Sequence, residues 1–209
     1  MNKQKIFKFN FNQTENYSNF YVNDTNIEAY NGVISNNYQN MYLCGPKKSG
    51  KSYLGKIWTE KFKAIKFNNN FEEIIKSQKN IFIDNLNQET DEEQIFHIIN
   101  HCTLNNLFIL IVSNLMIDEI ALRLKDLKSR LKIFTFLAIN KPDDDMLLNI
   151  LTKLFTEKQF IINSHEVFNY IIKHADRSYE DIFYIVKKLD ALSLEKKRQL
   201  TIPLIKEIL

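Results

Sequence analysis

Gly45-Pro46-Lys47-Lys48-Ser49-Gly50-Lys51-Ser52 decides how the rest of the chain is read. It fits Gly, four residues, then Gly-Lys-Ser, the spacing of a phosphate-binding loop. Met41-Tyr42-Leu43-Cys44 precedes it as a short apolar run and predicts a buried strand. Tyr53-Leu54-Gly55-Lys56-Ile57-Trp58 follows with helical spacing. Glycines let the backbone curl until successive N–H groups converge on an anion. The helix behind adds the positive end of its dipole and its unpaired N–H groups. Lys51 is placed for the β- and γ-phosphates, and the Ser52 hydroxyl for Mg²⁺. The chain has four glycines in all, so two at these positions is poor support for a chance turn.

The surrounding pattern alternates. Strands are predicted near 40–44, 64–67, 80–84, 107–112 and 133–138, with helices near 26–36, 51–62, 71–77, 91–102 and 117–127. Leu107 to Val112 is apolar at every position, as in a parallel strand covered on both faces. The expectation is an α/β fold with a parallel five-stranded sheet flanked by helices. Asp84 ends the run Ile81-Phe82-Ile83 and is the metal-ligand candidate beside Ser52. Ser113-Asn114 closes the next strand at the same sheet edge, where ligands sit in such folds.

Pro142-Asp143-Asp144-Asp145 marks a boundary. Beyond it only helices are expected, near 143–157, 165–175, 178–194 and 202–208, with Ser164 and Thr201 as cap candidates. The division is an arm at 1–17, a nucleotide-binding α/β domain at 18–141 and a small all-α lid at 142–209.

Composition bounds the function classes. At 44% hydrophobic and 25% charged, the 209 residues are ordinary for a globular protein. A net charge of +3 does not argue for an electrostatic nucleic-acid binder. Cys44 and Cys102 lack metal or redox spacing and suggest a reducing compartment. The N-terminal residues show no signal-peptide pattern, and the cytoplasm is the expected location. Glu93, His97 and His101 share a helix face, but without further ligands a solvated face is the reading.

A P-loop α/β domain followed by a helical lid resembles the AAA+ proteins. Phe20 to Ala29 and Gly-Pro-x-x-Ser-Gly-Lys-Ser-x-Leu resemble the initiator DnaA and its relatives. Arg198-Gln199-Leu200-Thr201-Ile202-Pro203-Leu204-Ile205-Lys206-Glu207-Ile208-Leu209 and Ile83-Asp84-Asn85 are similar to Hda-type regulatory homologues of DnaA, the alphaproteobacterial kind being one candidate. The resemblance covers residues 18–209 and stops short of the DNA-binding domain that DnaA carries after its lid. It implies ADP or ATP in the 45–52 loop, Mg²⁺ at Asp84, a sensor at Asn114 and an arginine finger at Arg130 that acts on a neighbouring subunit. It further implies sliding-clamp binding (the beta subunit of DNA polymerase III) through Gln4, Ile6, Phe7 and Phe9, although Lys5 departs from the usual leucine. DnaA is the implied partner, DNA only indirectly through the clamp, no membrane, and a homodimer is left open.

Two positions depart from the family. Asn85 stands where active members carry a second acid, and an amide cannot act as a base. Glu180 stands at the lid's sensor arginine, with Arg177 as a substitute one helical turn earlier. Both departures fit a chain that holds ADP and promotes hydrolysis of ATP by DnaA, limiting replication initiation. A partner-binding adaptor and an ATPase such as a helicase loader are the alternatives.

Overall fold

A computed structural model describes residues 20–35, 39–68, 70–87, 89–160, 166–196 and 198–209. Five strands form its sheet: β1 (Met41–Cys44), β2 (Ile65–Lys66), β3 (Ile81–Ile83), β4 (Ile109–Ser113) and β5 (Thr135–Ala138). Their order is β2-β3-β4-β1-β5 and every pairing is parallel. Parallel neighbours need crossover connections, which the intervening helices supply. These are α2 (Lys51–Lys61), α3 (Phe71–Ser77), α4 (Glu92–Leu104) and α5 (Lys125–Leu131), with α1 (Ile27–Ile34) ahead of β1.

The continuous apolar runs of β1, β3 and β4 are buried at every residue. Alternate side chains feed two layers. Tyr42, Ile81, Ile83, Ile109 and Ile111 pack with Ile95, Ile98 and Ile99 of α4 and with Leu127 and Leu131 of α5. Met41, Leu43, Phe82, Leu110 and Val112 pack with Ala29 and Val33 of α1 and with Leu54, Ile57 and Trp58 of α2. Full burial of one such side chain contributes about 1.5–3 kcal/mol, so both faces are strongly specified.

After β5 come α6 (Asp144–Glu157), α7 (Glu166–His174), α8 (Tyr179–Lys196) and α9 (Ile202–Ile205). Asp143 caps α6, its carboxylate accepting from the Met146 N–H at 2.7 Å. Leu147, Leu151 and Phe155 of α6 meet Phe168 and Ile171 of α7, Ile182 and Leu189 of α8, and Leu204 of α9 in a separate core. Met146 and Tyr179 instead join the α1–α2 layer, so the helical part is seated on the sheet part.

The helix expected over 117–127 does not form. Residues 117–119 are a turn, and the helix runs instead over Lys125–Leu131, which places Arg130 in its last turn. The cause lies outside the segment. The Glu92 carboxylate of α4 accepts from the N–H groups of Arg123, at 3.0 and 2.9 Å, and Leu124, at 2.8 Å, and so sets where α5 begins. Inside the segment, Glu119 folds back to accept from the Met116 N–H at 2.8 Å. The last helix also ends early, at Ile205 rather than near 208. Thr201 takes its N-cap position without a side-chain cap bond. The candidate cap Ser164 lies outside the described residues. Asn26 precedes α1 but caps it no better, because its amide is spent on the preceding turn. It accepts from the Asn23 N–H at 3.0 Å and donates to the Tyr21 carbonyl at 2.8 Å.

Candidate functional site

The loop leaves β1 at Gly45 and Pro46, turns through Lys47 and Lys48, and enters α2 from Gly50. Gly50 has φ 92°, and a Cβ there would lie 2.7 Å from the Phe20 ring. Both the backbone region and the close approach call for glycine. Lys51, the first residue of α2, is only 6% exposed. Its ammonium folds beneath the loop, donating to the carbonyls of Gly45 at 2.8 Å and Pro46 at 2.5 Å and to Ser49 Oγ at 3.4 Å. Burial draws its pKa down to about 8, against the opposing pull of Cys44 and Asp84.

Helix α2 and strand β3 meet as two rungs. Gly55 lets the helix sit directly on the Phe82 ring, where a Cβ would be 2.0 Å from Cζ. Ser52 lies three residues earlier on the same helix face, and Asp84 two residues after Phe82, just past the end of β3. The second rung is therefore Ser52 Oγ donating to Asp84 Oδ1 at 2.8 Å. The other carboxylate oxygen accepts from Lys66 of β2, also at 2.8 Å. Asn85 follows in the left-handed region at φ 63°, and its side-chain oxygen accepts from Asn114 Nδ2 at 3.3 Å. Lys47 to Tyr53, Asp84, Asn85, Val112, Asn114 and Glu180 line a cavity of about 480 Å³. The glycine loop at a helix start, three lysines and the hydroxyls of Ser49 and Ser52 suit it to a phosphate chain.

A second cavity, of about 230 Å³, shares Lys48, Ser49, Gly50 and Tyr53 with the first. Its floor is aromatic. Phe20 stacks on Tyr30 (centroids 5.8 Å, planes 11° apart) and on Tyr53 (6.1 Å, 4°). Its roof comes from the helical part: Met146, Ile150, Leu154, Tyr179 and Phe183. Such a pocket suits a flat, apolar ring. Hydrogen bonds fasten floor to roof. Asn23 Nδ2 donates to Asp143 at 3.0 and 3.1 Å, Tyr21 to Asp145 Oδ2 at 2.6 Å, and Tyr179 to the Asn140 carbonyl at 3.3 Å. The Asp145 contact, with some burial, pushes the Tyr21 hydroxyl up to about 12. Lys48 Nζ lies 5.8 Å from the Phe183 ring centroid across the same gap.

Phe20, Tyr53, Ile150, Tyr179 and Phe183 were not among the sequence candidates. Tyr179 and Phe183 are four apart on α8, as are Met146, Ile150 and Leu154 along α6, but that spacing also marks ordinary core.

Of the sequence candidates, the structure gathers Gly45 to Ser52, Asp84 and Asn114 around the first cavity or the loop that forms it. Arg177 is not brought there. It pairs with Asp144 at 3.0 Å, in a groove with Leu148, Ile172 and Lys173, because the first turn of α6 offers it a carboxylate. Glu180 faces the phosphate-shaped cavity in its stead. Arg130 does not line that cavity either; its guanidinium lies 5.0 Å from the Phe96 ring centroid on α4. Gln4, Ile6, Phe7 and Phe9 lie outside the described residues.

Asp84 and Ser52 present a carboxylate and a hydroxyl side by side at the cavity. Mg²⁺ is commonly held by one or two carboxylates with the remaining positions taken by phosphate and water, so this pair fits it. Among the described residues no cluster of three or more His, Cys, Asp or Glu would hold a metal unaided.

Residues 144–209 match the family model described as the Hda lid domain. Over the whole length, an uncharacterized protein of Haemophilus influenzae is 24% identical across 231 residues, covering 100% of this chain and 99% of the relative. The chromosomal replication initiator DnaA of Buchnera aphidicola is 25% identical across 232 residues, covering 95% of this chain and 53% of that protein. The chain thus spans about half the length of that initiator. Domain III of Thermotoga maritima DnaA superposes with a TM-score of 0.76 at 16% identity, covering 91% of this chain and 93% of that one. AMPPCP-bound DnaA from Aquifex aeolicus superposes with a TM-score of 0.66 at 17% identity, covering 84% and 65%. At these identities the superpositions speak for the fold alone: a parallel α/β core carrying a helical lid.

Proposed function

We propose that the chain, whose residues 144–209 match the Hda lid domain and whose fold is that of DnaA domain III, is an Hda-type AAA+ homologue of DnaA and a negative regulator of replication initiation that holds ADP and promotes hydrolysis of the ATP bound by DnaA. The AMPPCP carried by a DnaA of the same fold supports nucleotide in this cleft. The base would lie against Phe20 and Tyr53 under the lid, and the phosphates would follow the 45–52 loop to Lys51. Ser52 and Asp84 would hold Mg²⁺, which neutralises phosphate charge when bound. Glu180 beside the phosphates repels a triphosphate more than a diphosphate.

One observation carries the reading. The phosphate cavity contains the amide of Asn85 after Asp84, and Arg130 is not part of it. An amide at the position of the second acid suits the site to holding rather than hydrolysis. Arg130, on α5, is left for a neighbour's nucleotide, where a guanidinium on the γ-phosphate can accelerate transfer by about 10³–10⁵. Gln4, Ile6, Phe7 and Phe9 would tether the chain to the sliding clamp on DNA. In this reading residues 1–17 serve the clamp, 18–141 hold the nucleotide, and 142–209 form the lid.

The test is hydrolysis of DnaA-bound ATP with this protein added, with and without clamp loaded on DNA. Stimulation that needs the clamp and is lost in a Gln4→Ala/Phe7→Ala variant supports the proposal. Absence of stimulation by the wild type contradicts it. Turnover of ATP by the protein alone points to an ATPase of its own.

A further inference from the structure

Both oxygens of the Asp84 carboxylate are engaged, one by a hydroxyl and one by a cation. Ser52 Oγ donates to Oδ1, and the Lys66 ammonium donates to Oδ2, each at 2.8 Å. The sheet register explains how Lys66 arrives there. It pairs with Phe82 across the parallel β2–β3 ladder. Phe82 and Asp84 are two residues apart and share the face that α2 covers. Asp84 is therefore the diagonal neighbour of Lys66 toward the carboxyl edge of the sheet. The Lys66 ammonium lies 5.7 Å from the centroid of the Phe82 ring, the ring on which Gly55 packs. One ladder thus brings hydroxyl, carboxylate and ammonium together, with Ser52 and Asp84 lining the phosphate cavity and Lys66 behind Asp84, outside that lining.

We propose that Lys66 is a resident cation of the nucleotide site, its ammonium holding the Asp84 oxygen for which a divalent metal would compete, so that ADP is kept with little help from Mg²⁺. The inference rests on the reading of this cleft as a nucleotide site. Lysine carries a compact point charge with three donors and no acceptor, on a stem flexible enough to turn toward phosphate. It offers charge without demanding a coordination geometry. Mg²⁺ needs near-octahedral oxygens and gives up its water reluctantly, and here it must also displace an ammonium from its one protein carboxylate. Lys66 is half-exposed, so the competition is one of modest factors rather than exclusion.

The test is ADP affinity of the full chain by calorimetry, in excess Mg²⁺ and in excess EDTA, for the wild type, Lys66→Met and Lys66→Arg. Lys66→Met keeps the stem and removes the charge; Lys66→Arg keeps the charge. The wild type should differ by less than about threefold between the two conditions, a smaller margin than one exposed ion pair can supply. Lys66→Met should bind about tenfold more weakly in EDTA than in Mg²⁺, as expected when the ammonium that offsets the Asp84 charge beside the phosphates is lost, and Lys66→Arg should restore the wild-type behaviour. A wild type that loses tenfold or more in EDTA, or a Lys66→Met variant that responds as the wild type does, overturns the inference. No ADP binding in any arm overturns the nucleotide reading itself, and this inference with it.

Discussion

The two ends of the cleft are built differently. The phosphate end comes from one run of chain, Gly45 to Ser52, set on a buried strand and braced by the Gly55–Phe82 and Ser52–Asp84 rungs. The ring end is assembled from Phe20, Tyr53, Ile150, Tyr179 and Phe183, with floor and roof in different parts of the fold. Side-chain hydrogen bonds that close it, from Tyr21 to Asp145 and from Asn23 to Asp143, are exposed. The first end is rigid because close packing enforces it. The second depends on bonds that each contribute little net stability. Charge should therefore decide whether nucleotide binds, and the lid should decide how long it stays.

That contrast can be broken at its strongest point first. Lys51→Ala removes the buried ammonium that loop carbonyls now satisfy, and with it a charge-assisted bond to phosphate. A loss of about 1.5–3 kcal/mol, roughly 10–100-fold in ADP affinity by calorimetry, is expected. An unchanged affinity would show that the loop does not carry the binding.

Gly55→Ala tests the brace rather than the charge. Its Cβ would fall 2.0 Å from Phe82 Cζ, so the buried ring, the helix or the strand must shift. The expected cost is about 1–3 kcal/mol of folding stability, read as a lower midpoint in urea. An unaltered midpoint would mean that the Gly55–Phe82 contact does not brace the fold.

Phe20→Ala sharpens the other side. Losing one aromatic platform should weaken ADP by about 1–2 kcal/mol, near tenfold, while leaving binding of inorganic pyrophosphate unchanged. Equal losses for both ligands would mean that the two ends are one.

The smallest effect is a pH dependence. Burial lowers the Lys51 pKa to about 8 from its ordinary value of 10.5, so the folded chain resists the charged form. Without ligand this penalty is present below about pH 8 and is relieved as pH rises toward 10.5, so the Lys51 contribution to stability grows over that window. Phosphate needs the charged form, so ADP affinity should decline above about pH 8 while ligand-free stability gains from this group. The Lys51→Ala variant should lose both trends.

How much was legible beforehand follows from the same contrast. The loop, its strand and the parallel sheet announce themselves locally, through glycine spacing and the apolar run from Leu107 to Val112. Asp84 could be placed beside Ser52 because both end elements of the same sheet edge. The start of α5 could not, since it is set by Glu92, some thirty residues away on α4. The ring pocket was not legible because its members are scattered and each also passes as core. Arg177 seemed a fair substitute at Glu180 by helical spacing alone, but the Asp144 carboxylate holds it elsewhere. Lys66 needed the β2–β3 register before it meant anything.

The central claim is that holding nucleotide and promoting hydrolysis are separate tasks of separate residues. Arg130→Ala tests it when two quantities are measured on one preparation: ADP affinity, and stimulation of ATP hydrolysis by DnaA with the clamp on DNA. Unchanged ADP affinity with stimulation lost is the predicted result. Weakened ADP binding with stimulation retained would contradict it.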